Sequence, residues 1–161
     1  RLRVEPFDGP YCGVLAQVRG VASANGTPQV ALTSPDPLPG GEVLRFRVQT
    51  PGWPAHLHVA YLMATGDVGN LFTTTSRQPP RSNVALGDPS WEVSEPYGTE
   101  LLLVIASERP LFGGQRRRKV EKLDQFAADL GPALNAAQEK GGRVSAQVVA
   151  VRTVPPRQGA P

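Results

Sequence analysis

The chain has 161 residues, and its 17 basic and 14 acidic side chains give a net charge of only +3. This length is typical of one domain with its own hydrophobic core, and the small charge surplus does not require nucleic acid as a partner. The sequence has no apolar run of about 18 residues, so we predict no direct membrane insertion in this segment. A single cysteine, Cys12, excludes an intrachain disulfide.

Turn-forming residues are abundant, with 17 prolines and 17 glycines. Such a composition disfavours long helices and favours a β-rich fold with many turns. The chain does not begin with methionine and ends in a proline-rich stretch, which we interpret as a sign that it is a segment of a longer protein.

The N-terminal part predicts a β-hairpin. Apolar and polar residues alternate over residues 13–21, as in a strand with one buried face. An Asn25-Gly26 turn follows, and residues 29–33 form the predicted returning strand. Residues 34–41 contain three prolines and two glycines and predict a linker without regular structure.

Residues 43–72 are the stretch around which the rest is organised. Leu44, Phe46 and Val48 share one face of a strand and predict its core side. A Pro-Gly-Trp-Pro corner leads into a second strand, which is apolar on both faces after Val59 and therefore predicts a central position. A turn at Gly66, which tolerates positive φ, leads to a third strand over residues 68–73.

The C-terminal half continues this pattern. Residues 73–88 predict a surface loop with a short edge strand at 83–86, and a further short strand is predicted at 91–93. Residues 100–107 are the most apolar run and predict a buried strand. Helical spacing over residues 118–140 predicts one helix, kinked or divided at Pro132, and residues 144–152 predict a last strand.

These elements predict a mainly β (α+β) fold, an antiparallel β-sandwich-like domain with one C-terminal, Pro-kinked helix packed on a sheet. We divide the chain into an N-terminal hairpin segment with its linker (1–37), a β-rich domain with the C-terminal helix and last strand (38–153), and a proline-rich tail (154–161).

Two histidines are the only candidates for metal chemistry. His56 and His58 lie two apart on a strand, so both side chains point to one face, as in pairs that bind zinc or copper. No third histidine exists, and neither a carboxylate nor Cys12 has a diagnostic spacing, so we predict no metal site and no cofactor. Cys12 matches no nucleophile signature, and a small buried apolar residue is its expected role.

Two groups of residues are candidates for binding. Four aromatic side chains suit a ligand-binding face, although core packing is the commoner role in β-rich domains. The run of four cations, expected at the helix N-terminus, suits an anion or a partner protein, although most such runs are solvated. The aromatic set is Trp53, Tyr61, Trp91 and Tyr97, and the basic set is Arg116, Arg117, Arg118 and Lys119.

Two segments resemble a known family. Residues 61–72 are similar to its hairpin, in which an extended strand is followed by an acidic or small residue, Gly, any residue and Val, and the hairpin ends in Leu-Phe. Residues 96–111 are similar to its Pro-x-Gly, apolar strand and Ser-x-x-Pro-Leu ending, and residues 44–48 look like its opening strand. The family is the domain of unknown function 4384, a β-rich module attached to bacterial serine/threonine kinases and caspase-like peptidases. One departure is Thr73, where the family places proline.

The resemblance covers roughly residues 38–112 and implies a non-catalytic accessory domain, often extracytoplasmic, that acts in sensing or protein–protein interaction beside a kinase or caspase-like domain. The partner is then another protein or another domain of the same chain. The first alternative is a module that binds glycan or cell-wall material through the four aromatic residues. The second is a hydrolase that uses Cys12 with His56 or His58.

Overall fold

The computed structural model describes residues 11–21, 26–114 and 117–156. Four parts of the sequence predictions lie outside these residues: residues 1–10 of the N-terminal segment, residues 22–25 with Asn25 of the turn, Arg116 of the basic run, and residues 157–161 of the tail. The described helices and strands are α1 (Cys12–Arg19), β1 (Gln29–Leu32), β2 (Leu38–Pro39), β3 (Val43–Gln49), β4 (His56–Leu62), β5 (Asp67–Thr73), β6 (Asn83–Glu92), β7 (Thr99–Ser107), β8 (Val120–Lys122), α2 (Leu123–Gln138) and β9 (Val144–Val154).

The strands form two sheets. The larger has six strands in the order β2-β9-β7-β4-β5-β8, and the smaller has three in the order β1-β3-β6. The described neighbours pair antiparallel except β2 and β9, which are parallel. Helix α2 packs on the larger sheet. The mainly β, sandwich-like fold with a C-terminal helix on a sheet is therefore confirmed.

One hydrophobic core fills the space between the two sheets. Leu44, Phe46 and Val48 of β3 are at most 2% exposed, which confirms the predicted core face. They pack on β4 and β7 of the larger sheet, where Leu57, Val59, Leu102 and Val104 point inward. Strands β3 and β4 thus face each other across the sandwich, because the corner at residues 51–54 moves the chain from one sheet to the other.

A second core lies on the opposite face of the larger sheet. Alternate residues of β4 and β7, such as Ala60 and Leu103, belong to the same buried core as Phe126 and Leu130 of α2. Strand β4 is flanked by β5 and β7 and has both faces buried, so its predicted central position is confirmed. The turn at Gly66 (φ 88°) is also as predicted.

The predicted N-terminal hairpin is wrong, because residues 12–19 form helix α1. Val14 is buried, and Leu15 and Val18 pack beside it in the α2 core. This i, i+1, i+4 spacing is that of a helix face, and the apolar–polar alternation over the same residues is incidental. Strand β1 exists as predicted, but its partner is β3.

The segment before β3 is more ordered than its prolines predict. Leu38 and Pro39 pair with Thr153 and Val154 of β9, and Leu38 is 1% exposed. The prediction that residues 34–41 lack regular structure is therefore wrong at β2. Strands on the two sides of the proposed boundary after residue 37 pair with each other, since β1 joins β3. Val154, expected to begin the tail, is the last residue of β9.

Helix α2 and strand β6 also differ from the predictions. Residues 120–122 form β8 on the edge beside β5, so α2 begins at Leu123 and not at residue 118. The helix continues through Pro132, and the alternative of two short helices is wrong. The edge strand at residues 83–86 and the short strand at 91–93 are parts of one strand, β6, which runs from Asn83 to Glu92 and replaces the end of the expected loop.

Among the described residues, no helix has the length and apolar character needed to cross a membrane.

Candidate functional site

Two clefts open on either side of strand β5. The first, which we call the inter-sheet cleft, has a volume of about 510 Å³ and lies between the β4–β5–β8 end of the larger sheet and strand β6 of the smaller one. The second, the histidine cleft, has a volume of about 550 Å³ and lies beside the start of β4 and the end of β5. Asn70, Leu71 and Lys119 line both.

The inter-sheet cleft has an apolar and aromatic wall. Tyr61 of β4 and Trp91 of β6 line it, together with Met63 and Leu71. The Trp91 ring is stacked on Phe46, with 5.9 Å between ring centroids, and remains half-buried. The sandwich core therefore fixes this ring while part of it stays accessible from the cleft.

The rim of the same cleft is acidic. Asp67 pairs with Lys122 at 3.2 Å, and Asp88 accepts hydrogen bonds from the backbone N–H and hydroxyl of Ser90. Hydrogen bonds from Thr65 and Lys122 lower the pKa of Asp67, and those from Ser90 lower the pKa of Asp88, so both carboxyl groups are ionised at neutral pH. The charged residues that line the cleft are Asp67, Asp88, Glu92, Glu95, Glu100 and Lys119.

Glu100 differs from the rim carboxylates because it is 6% exposed. One of its oxygens accepts a hydrogen bond of 2.7 Å from the Tyr61 hydroxyl, and the other accepts one of 2.8 Å from the Ala64 backbone N–H. Burial and the nearby charge of Glu100 raise the pKa of Tyr61, and the same two causes raise the pKa of Tyr11 to about 12. Both hydroxyl groups are therefore protonated at neutral pH.

The histidine cleft contains a hydrogen-bonded chain. His58, which is 2% exposed, has Nε2 at 2.9 Å from Asn70 Oδ1 and Nδ1 at 2.9 Å from Thr73 Oγ1. Asn70 Nδ2 donates to the Arg118 carbonyl and to Glu121, so Oδ1 must face His58 and accept from it. Burial lowers the pKa of His58, which makes the neutral Nε2–H tautomer the form that satisfies this geometry.

Arg117 lines the histidine cleft. It bonds to both oxygens of Glu121 and to Asp129 of α2, and its guanidinium lies 4.3 Å from the centre of the Phe112 ring. Two carboxylates therefore offset its charge. Lys119 is exposed at the mouth shared with the inter-sheet cleft. Because β8 separates the basic run from α2, the expectation that this run lies at a helix N-terminus is wrong.

The two histidines share this cleft, as their spacing predicts. His56 Nδ1 is buried without a hydrogen-bond partner, while both ring nitrogens of His58 are engaged within the protein. Within the described ranges, no group of three His, Cys, Asp or Glu side chains is placed to hold a metal ion. Cys12 is exposed on α1, so its predicted burial is wrong, and no cysteine is among the described residues that line the histidine cleft.

The structure brings together two of the four predicted aromatic ligands. Tyr61 and Trp91 line the inter-sheet cleft, whereas Trp53 and Tyr97 are not among its described lining residues. Trp53 is 3% exposed in the sandwich core, with the Arg143 guanidinium 5.3 Å from its ring centre. Tyr97 packs so closely on Gly40 that a Cβ added there would lie 2.2 Å from its hydroxyl.

Sequence reasoning missed the residues that link the cleft to the core. From the sequence, Glu100 was interpreted only as the start of an apolar strand. Its position beside Tyr61 depends on the pairing of β4 with β7, which no local sequence pattern predicts. An acidic residue directly before the apolar run of residues 101–106 is the signal that marked it. Asn70 and Glu121 had no such signal.

No family model matches this sequence, and neither the curated proteins nor the solved structures contain a significant match.

Proposed function

We propose that this chain is a non-catalytic accessory module of a larger bacterial protein, and that it binds a partner protein through the inter-sheet cleft. The observation that carries the proposal is the cleft itself, where Tyr61 and Trp91 line a cavity of about 510 Å³ between two sheets. A concave site with aromatic walls and a few polar groups is the usual form of a ligand-binding pocket. Aromatic side chains also dominate the energetics of protein interfaces.

The resemblance to the domain of unknown function 4384 supports the accessory role. The segments on which the resemblance rests include the β4–β5 hairpin, with its Gly66 turn, and strand β7, which is central in the larger sheet. Such a module acts in sensing or protein interaction beside a kinase or caspase-like domain. The parent chain supplies the catalysis, and this segment supplies the contact.

The arrangement of possible nucleophiles supports a non-catalytic module. A Cys/His hydrolase needs its thiol within hydrogen-bond reach of an imidazole. Cys12 is exposed on α1, and His58 uses both ring nitrogens in bonds to Asn70 and Thr73. Among the described contacts there is therefore no hydrogen bond between the Cys12 thiol and a histidine ring, and Cys12 is not among the described residues lining the histidine cleft.

Binding to peptide and glycan arrays tests the proposal. We expect the chain to retain a defined set of peptides, and we expect Trp91→Ala to lose them. Arg152→Ala is the matched control, because Arg152 is exposed on β9 and is not among the described residues lining either cleft. Circular dichroism and thermal unfolding must first show that each variant is folded.

The same arrays separate the alternative. Tyr61 and Trp91 in one cleft also suit stacking on a sugar ring, so retention of glycans that Trp91→Ala abolishes would favour a glycan or cell-wall module. Retention of neither class, or retention that Trp91→Ala leaves unchanged, would overturn recognition through this cleft.

A further inference from the structure

The charge of the inter-sheet cleft is opposite in sign to that of the whole chain. Five carboxylates and one ammonium line the cleft, although the chain carries a net charge of +3. Lys122 neutralises Asp67, but Glu92 and Glu95 are exposed. A cavity lined by charges of one sign concentrates ligands of the opposite sign.

Because Glu100 is buried, the acidic lining of the inter-sheet cleft is more than a cluster of surface carboxylates. The Glu100 carboxylate is buried at the cleft, and its two described hydrogen-bond partners, the Tyr61 hydroxyl and the Ala64 backbone N–H, are both neutral. No basic side chain forms an ion pair with it in the described part of the chain. A buried charge without a counter-charge is costly, and a cation that enters the cleft reduces that cost.

The remaining wall suits an aliphatic chain. Tyr61, Met63, Leu71 and Trp91 supply apolar surface beside Glu100, and the accessible part of the Trp91 ring offers a face for a cation. Arginine and lysine combine these two requirements, because each has an apolar stem and a charged end. The cleft volume of about 510 Å³ also leaves room for the backbone that flanks such a side chain.

We propose that the inter-sheet cleft binds a basic side chain, arginine or lysine, of the partner protein, with its cation beside Glu100 and its stem along Tyr61 and Trp91. This inference rests on the proposed function and specifies the chemistry of the partner. A phosphorylated or acidic segment does not fit the site, because it would place like charges together.

Nuclear magnetic resonance titration with two single-residue probes tests the inference. N-acetyl-arginine amide carries the cation, and N-acetyl-citrulline amide is its neutral isostere. We expect the arginine probe to shift the Trp91 indole N–H and the Gly69 amide signals, with a dissociation constant about tenfold or more below that of the citrulline probe. We also expect added salt to reduce this preference.

Two variants connect the preference to the cleft. Glu100→Gln removes the buried charge, and we expect most of the preference for the arginine probe to be lost. Because that change also alters the hydrogen bonds from Tyr61 and Ala64, the exposed Val120→Arg is the second variant. Val120 is 56% exposed at the cleft, so an added cation there should weaken the arginine probe without disturbing the core.

The possible results separate this inference from the proposed function. Equal binding of both probes to the wild-type cleft would overturn selection for a cation and leave the recognition module standing. An arginine preference that is undiminished in both Glu100→Gln and Val120→Arg would place the cation elsewhere and overturn the inference. No shift with the arginine probe in the millimolar range would also overturn it, and the peptide array would then decide the proposed function separately.

Discussion

His58 is almost fully buried, and each of its ring nitrogens has a partner inside the protein. Phe112 and Phe126 pack around the ring, with centroids 5.3 Å and 6.5 Å away. Burial has the largest effect and lowers the pKa of His58, and the charge of Arg117 also lowers it, whereas the hydrogen bond to Asn70 and the charge of Glu121 raise it. His58 therefore acts as a neutral polar link between β4 and β5.

We expect His58 to make the stability of the chain depend on pH below neutrality. The unfolded imidazole takes up a proton near pH 6.5, whereas the folded one remains neutral to lower pH, so the contribution of His58 is complete above about pH 6.5 and is lost as the pH falls below it. Urea unfolding between pH 7.5 and 5.5 should show this decrease, and His58→Gln should flatten it. An equal slope in the variant would contradict the assignment.

Tyr61 and Glu100 form another buried polar contact, with 2.7 Å between the hydroxyl and Oε1. Tyr61→Phe leaves the ring in place and removes a donor to a buried carboxylate, so we expect it to lower the free energy of unfolding by about 1.5–3 kcal/mol. Tyr97→Phe is the matched control, because the described residues give its hydroxyl no hydrogen-bond partner. Its effect should stay within about 0.5 kcal/mol.

The raised pKa of Tyr61 gives a second expectation, at alkaline pH. Above about pH 10 the unfolded tyrosine loses its proton while the folded one keeps it, so stability falls as pH rises, by up to about 1.4 kcal/mol per pH unit for this group. Urea unfolding between pH 8 and 11 should show a smaller slope for Tyr61→Phe than for the wild type. The same slope in both proteins would mean that other groups cause the decline.

At the scale of elements, the sequence predicts where strands lie along the chain better than it predicts which strands pair with each other. Strands β3, β4 and β7 were recognisable because their burial alternates or is complete along the strand. Helix α1 was not, because eight residues with Val14, Leu15 and Val18 fit an alternating pattern as well as a helical one. Tyr61 and Trp91 were recognisable as candidates by residue type, but only the packing of two sheets shows that these two line one cleft.

Helix α2 offers a test of how tertiary packing overrides a local signal. Pro132 lies inside the helix, where it cannot donate a backbone hydrogen bond, yet Phe126, Leu130 and Leu134 on its inner face are at most 3% exposed. We infer that this burial compensates for the proline. A hydrogen bond from Gln17 of α1 to the Ala127 carbonyl of α2 also joins the two helices.

Pro132→Ala should therefore stabilise the protein. Pro132 is exposed, so the change restores a backbone donor without altering the core. Alanine is favoured over proline by up to about 3 kcal/mol within a helix, reduced by about 0.4–1 kcal/mol because the unfolded chain gains freedom. Thermal unfolding measures the gain, with Asn135→Ala at another exposed α2 position as control. A lower melting temperature for Pro132→Ala would show that the proline conformation is required by the packing.

At the scale of the whole molecule, the larger sheet belongs to both hydrophobic cores. Alternate residues of β4 and β7 point to the smaller sheet on one side and to α1 and α2 on the other. Neither core can lose its packing without exposing a face of the same strands. The described parts of the chain should therefore unfold as one cooperative unit, since each layer depends on the central sheet.

Two matched cavity mutations test this cooperativity. Phe46 faces the sandwich core and Phe126 faces the helix core, and both are at most 1% exposed. Phe46→Ala and Phe126→Ala should each lower the free energy of unfolding by about 3–5 kcal/mol, because each removes a fully buried ring. Tryptophan fluorescence reports on Trp53 and Trp91 in the sandwich core, and far-ultraviolet circular dichroism also detects the helices. If the cores are coupled, each variant shows a single urea transition with the same midpoint by both methods. Transitions that separate in either variant would show instead that the helix layer unfolds independently of the sandwich.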